Sequence, residues 1–117
     1  MNPNLVQEEQ IKIALGDRQF DLHYQPQIEI ANGRVVASEA LLRWYHPSLG
    51  LLMPDIFIPL AEKSGTIKRL GRWVIREACR QLSDWKTTIY CSERMSVNVS
   101  PSQLFESGFV EYVKCCL

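Results

Sequence analysis

Glu39, Leu41 and Arg43 stand at alternate positions in the run Ser38-Glu39-Ala40-Leu41-Leu42-Arg43-Trp44, which is otherwise apolar enough for a buried strand. A carboxylate can hold a hard cation, and a guanidinium can fork onto a phosphate. Successive side chains of a strand point to opposite faces, so these three residues share one face, and Ser38, Ala40, Leu42 and Trp44 share the other. Buried strands exclude Glu and Arg unless the charges are paired or bound to something. The pattern therefore asks for an internal salt bridge or a ligand site, and on this segment alone the salt bridge is the plainer reading.

The rest of the composition narrows what such a site can serve. With 117 residues and 46% hydrophobic content the chain amounts to one domain with enough apolar material for a core. Lys plus Arg and Asp plus Glu number 13 each, so the net charge is zero. That balance offers no electrostatic footprint for a nucleic-acid backbone or an anionic membrane, and an anionic ligand must be held locally. The start lacks a basic region leading into an apolar core, and no apolar run reaches the roughly 18 residues a membrane span requires. A soluble cytoplasmic protein is expected. Cys79, Cys91, Cys115 and Cys116 lack the paired spacing of a zinc site and the density of a disulfide scaffold, so they read as reduced thiols, of which adjacent Cys115 and Cys116 could oxidise or crosslink chains.

The elements that must position the site follow from periodicity. Residues 4–15 read as a helix with Asn4 as N-cap, acids in the early turns and Gly16 just past the end. From Phe20 to Ile30, apolar Phe20, Leu22, Tyr24, Ile28 and Ile30 alternate with polar residues, a strand with one face of each kind. Asn32-Gly33 predicts a two-residue type I′ hairpin, followed by a strand from Arg34 to about Trp44, antiparallel to the first. After a turn-rich connection, Asp55 N-caps a short helix over Ile56–Lys63, with Pro59 close to its start and Gly65 closing it. A longer helix from Thr66 to about Trp85 buries Leu70, Val74, Ala78 and Leu82 and presents Lys68, Arg69, Arg72, Arg76, Glu77 and Arg80 as a solvated outer face. Gly71 within it suggests close packing. Met95 to Val99 is a third strand, Ser100-Pro101-Ser102-Gln103 a capping box, and Phe109–Cys116 a last helix. A strand, helices and a strand make a βαβ crossover, so the second and third strands should be parallel, with helices covering the apolar face. By parity alone Gln25, Glu39, Arg43 and Asn98 then lie together on the opposite, polar face.

Six runs in order, Tyr24-Gln25-Pro26, Glu39 to Trp44, His46-Pro47, Phe57 to Glu62, Leu70 to Val74 and Val97 to Ser100, resemble the EAL domain of bacterial cyclic di-GMP phosphodiesterases across essentially the whole chain. The resemblance implies an α/β fold, part of a modified TIM barrel with one antiparallel strand. It implies cleavage of cyclic di-GMP to linear pGpG by a metal-activated water, with Mg²⁺ or Mn²⁺. Position by position it makes Glu39 and Asn98 metal ligands, places Arg43 on a ligand phosphate and sets Leu41 and Gln25 against a guanine base. Both proposed metal ligands are hard oxygen donors suited to those cations. Parity and resemblance agree, which favours a ligand site over a structural ion pair.

A TIM barrel typically needs about 250 residues, whereas this chain reads as a truncated EAL domain over 1–117, the first three strands and their helices. The family's later glutamate, its Asp-Asp-Phe-Gly segment, its catalytic lysine and its loop glutamate have no counterparts. Glu39 and Asn98 cannot alone clamp two metals, so no complete catalytic set is expected and metal binding should be weak or absent. The open sheet, with side chains such as Leu41 uncovered, predicts a homo-oligomer, most simply a dimer. Three functions follow: a degenerate module acting through oligomerisation or contacts with other EAL-domain proteins, a residual binder of cyclic di-GMP or Mg²⁺, or part of an enzyme completed by further sequence. His46 reads as a loop residue, and Trp44, Trp73 and Trp85 as core.

Overall fold

A computed structural model describes residues 6–86 and 94–117. The sheet is organised around β2 (Val35–His46). On one flank β1 (Phe20–Ile28) pairs antiparallel with it, Gln25 opposite Glu39 and Phe20 opposite Trp44. On the other flank two short strands divide it: β4 (Met95–Val97) runs parallel beside Ser38–Ala40, and β3 (Gly50–Leu52) runs antiparallel beside Trp44–His46. The parallel crossover is as expected. β3 is an addition to the expected topology, because three residues are too few to display a period of two.

The hairpin differs from the expected two-residue turn. The Glu29 N–H donates to the Arg34 carbonyl at 2.9 Å and the Gly33 N–H to the Glu29 carbonyl at 2.8 Å, so the turn is wider. Gly33 takes φ 70°, but Asn32 does not share the positive φ that a type I′ turn demands; its side-chain oxygen instead accepts the Arg34 N–H at 2.9 Å. A register shift between Gln27 and Ile28 ends the alternation early. Consequently Ile28 and Ile30 are exposed rather than extending the apolar face.

Helices cover the face of the sheet that carries Phe20, Leu22, Ala40 and Trp44. These are α1 (Glu8–Gly16), α2 (Pro54–Ser64) and α3 (Ile67–Trp85). Trp44 is fully buried: its ring lies 5.1 Å from Phe20 and 5.4 Å from Phe57, and its Nε1–H donates to Gln19 Oε1 at 3.0 Å. That bond supplies the partner a buried indole needs. Ile11, Ala14, Ala61 and Leu70 complete this cluster. Leu22, Ala40, Val74 and Ala78 form a second, against which Tyr24, Trp73, Met95 and Val97 pack. Burial, with Glu77 adding to it, pushes the Tyr24 phenol up to about 12, consistent with a ring tucked edge-on against Trp85.

Several boundaries shift. α1 starts at Glu8 after N-cap Gln7, whose N–H donates to Gln10 Oε1 at 2.8 Å, and Gly16 is its last residue. The expected cap Asn4 lies outside the described residues. α2 starts two residues earlier than expected, with Met53 as N-cap and Pro54 at the first helical position, which removes Asp55 from the cap. Gly65 closes α2 at φ 86° as expected. The third predicted strand stops at Val97 rather than Val99.

Beyond β4, α4 (Pro101–Leu104) and α5 (Phe109–Cys116) pack on α3. Gly71 explains how. Gln103 is buried against it, its Oε1 accepting the Ser100 N–H at 3.0 Å, and a Cβ at position 71 would overlap the Gln103 amide. A Gly71→Ala substitution must therefore displace the amide that caps α4. We expect it to lower stability in urea by about 1–3 kcal/mol despite the better helix former. In a Gln103→Ala background the same change should be neutral or stabilising; simple additivity of the two would refute this account.

Candidate functional site

The gap between β4 and β3 along β2 opens onto a groove of about 480 Å³. It is walled by Ala40–Arg43 of β2, by Asp55, Ile58, Pro59 and Glu62 of α2, by Leu70, Gly71 and Val74 of α3, and by the turn Asn98–Pro101 with Gln103. Of the residues singled out in the sequence, the groove gathers Leu41, Arg43 and Asn98. Glu39 and Gln25 do not line it. They face each other across the β1–β2 ladder, with Ser96 of β4 opposite Glu39 on the far flank. By strand parity the side chains of Gln25, Glu39, Leu41 and Arg43 share the side of the sheet opposite the helices, and Leu41 and Arg43 border the groove where the open edge of β2 meets it, with Asn98 just past the end of β4.

Glu39 and Arg43 are both half-buried, yet among the described residues neither has an ion-pair partner. Glu39 and Arg43 do not pair with each other. Arg43 donates from Nη1 to the carbonyl of Leu42 at 2.7 Å, and the rest of its fork has no protein partner among the described residues. Leu41 is half-buried, not laid open as expected for an uncovered sheet. Gln25 and Asn98 are exposed. Among the described residues no group of three or more His, Cys, Asp or Glu could hold a metal ion. Glu39 and Asn98 contribute one carboxylate and one amide oxygen, the hard donors that Mg²⁺ accepts when ligand phosphates and water supply its other positions.

Three lining residues escaped the sequence reading. Asp55, in the first turn of α2, and Glu62, two turns later, lie on the face that also holds Ile58 and Pro59; the spacing i, i+3, i+4, i+7 was the available signal. Gln103 is the third, and its buried Nε2 has no hydrogen-bond partner. The scaffold around them is well tied. Arg72, expected on a solvated face, pairs with Glu106 at 2.8 Å, lies 5.2 Å from the Tyr112 ring centroid, and its carbonyl accepts the Tyr112 hydroxyl at 3.0 Å. His46 holds the loop before β3: its Nδ1 accepts the N–H groups of Ser48 and Leu49 at 3.0 and 3.1 Å, and its ring packs 5.2 Å from Trp44.

Residues 8–117 match the EAL domain family. The bifunctional diguanylate cyclase/cyclic di-GMP phosphodiesterase MucR of Pseudomonas aeruginosa is 42% identical over 121 residues, covering 100% of this chain and 18% of that protein. The cyclic di-GMP phosphodiesterase NbdA of the same organism is 44% identical over 113 residues, covering 97% of this chain and 14% of that protein. The chain thus spans under a fifth of either relative's length. In three dimensions it resembles the phosphodiesterase of MucR solved as a cyclic di-GMP complex, with a TM-score of 0.84 and 42% identity over 93% of this chain and 44% of that one. The sheet and helices described above are accordingly part of an EAL-type barrel. No helix among the described residues is long and apolar enough to cross a membrane.

A carboxylate without an ion-pair partner contributes little to holding its strand. We therefore expect Glu39→Gln to change unfolding free energy by no more than about 0.5 kcal/mol in chemical denaturation. A loss of about 3–5 kcal/mol would instead mark a broken buried ion pair.

Proposed function

The chain belongs to the EAL domain family, and from that premise we propose that residues 1–117, as the leading part of such a domain, form a signalling module that binds cyclic di-GMP without hydrolysing it alone. The observation that carries this reading is that Arg43, Leu41 and Asn98 border one groove, with most of the Arg43 fork unengaged by the described residues. A planar guanidinium matches a phosphodiester in charge and geometry, and Leu41 offers an apolar contact for a guanine. Gln25 extends that base-binding side along the sheet. Glu39 and Asn98 would hold a Mg²⁺ or Mn²⁺ ion, with water and ligand phosphate completing its octahedron; the ion would neutralise the phosphate and, in a complete domain, activate a water. Hydrolysis through two clamped metals needs more donors than these two residues supply.

Calorimetric titration with cyclic di-GMP in Mg²⁺ should give saturable heat without pGpG formation. Arg43→Ala should weaken the affinity at least about tenfold, or 1.4 kcal/mol, and chelating the metal should weaken it further. Absence of heat at about 1 mM ligand, where binding energies fall to about 4 kcal/mol, removes the reading. Formation of pGpG that Glu39→Ala abolishes would replace it with catalysis.

A second reading, association with itself or with other EAL-domain chains, is favoured by Tyr45, Leu49, Leu51 and Met53, which leave β3 and its neighbours 40–47% exposed on an edge strand. Apolar edges invite pairing. Light scattering at micromolar concentration should report a dimer that Leu51→Lys shifts to monomer; a wild-type monomer under those conditions would exclude this reading.

A further inference from the structure

Cys79 of α3 and the neighbouring Cys115 and Cys116 of α5 line one cleft, in company with Arg76, Arg80, Asp84, Lys86 and Tyr112. The seam between these helices is continuous. Tyr112 bonds the Arg72 carbonyl, and Phe109 and Val113 border an apolar hollow of about 360 Å³ shared with Ile75 and Cys79. Positions 109, 112, 113 and 116 repeat at i, i+3, i+4, i+7, so Cys116 belongs to the face of α5 that meets α3. Cys115, about 100° further round the helix, is exposed. Cys79 and Cys116 are free and half-buried.

We propose that Cys79 and Cys116 form an oxidation site, a thiol pair that a small disulfide of the glutathione class converts into an intramolecular disulfide stapling α5 to α3. Burial, with Cys116 adding to it, pushes the Cys79 thiol up, which suits Cys79 to the second step rather than the first; Cys116, on the face of α5 that meets α3, makes the first attack. Its thiolate attacks one sulfur of the small disulfide, breaking that S–S bond, forming a mixed disulfide and releasing one small thiolate. Cys79 then loses its proton to solvent and attacks the Cys116 sulfur, closing the protein disulfide and releasing the second small thiolate. Two protein thiols are oxidised, and one small disulfide is reduced to two thiols. Arg76 and Lys86 give the cleft a positive side for a carboxylate-bearing oxidant, while Arg80 is engaged by Glu77 and Asp84. Cys115 is a poor alternative partner for Cys116, since adjacent side chains diverge on a helix.

The test is incubation of the reduced chain with oxidised glutathione, followed by alkylation, digestion and mass spectrometry. The expected product is a single chain with no interchain disulfide, lacking two hydrogens, in which a Cys79–Cys116 linked peptide dominates and both thiols resist alkylation, together with a raised thermal midpoint. Cys115→Ser and Cys91→Ser should leave the link intact, and Cys79→Ser and Cys116→Ser should abolish it. The wild-type alkylation pattern alone decides the matter should a serine variant fail to fold. Linkage through Cys91 or Cys115, or a mixed disulfide that leaves Cys79 open to alkylation, would overturn the proposal.

Discussion

Hydrogen bonding on both flanks of β2 is the constraint from which the rest follows. A strand held on two sides cannot rotate about its axis, so burying Trp44 with Phe20 and Phe57 fixes where every alternate residue points. A one-residue slip would put Trp44 on the helix-free face and Arg43 into the core. The orientation of the charged residues is therefore enforced by the aromatic cluster on the other side of the same strand. That face is oriented without a Glu39–Arg43 ion pair.

A second dependency runs through Gly71. Omitting one Cβ from α3 admits the Gln103 amide, which caps α4 and thereby fixes the turn that carries Asn98 from β4. Arg72 and Tyr112 lock the next helix to the same surface. Asn98 is thus positioned by contacts lying on the helical side of the sheet, several residues away in sequence.

What could be read from the sequence divides along these lines. Alternation at Glu39, Leu41 and Arg43 and the helical stripe of α3 are local patterns enforced by burial, and they carried the sheet's polar face, the parallel crossover and the capping interaction at Ser100 and Gln103. Patterns fail where tertiary context overrides local chemistry. Asn32-Gly33 reads as a tight turn until a register shift at Gln27 widens the loop and exposes Ile28. Arg72 looks like any charge on an outer face until Glu106 and Tyr112, more than thirty residues later, take it up. β3 is too short to announce itself. The groove was only half legible: Arg43, Leu41 and Asn98 came from parity and resemblance, whereas Asp55 and Glu62 are carried on a helix that the sequence presents as an ordinary connector.

The two short strands beside β2 stop short of each other, leaving residues 41–43 without a ladder partner on that flank among the described residues. Such an interval is a break in a hydrogen-bonded wall, and its edges are peptide groups. Arg43 turns back to occupy the Leu42 carbonyl, so an anion that draws the guanidinium away also uncovers an acceptor for a base or sugar donor at the same spot. Charge recognition and main-chain recognition would then be exchanged within one residue, and the shape of the ligand would be read by backbone that no side-chain substitution can erase.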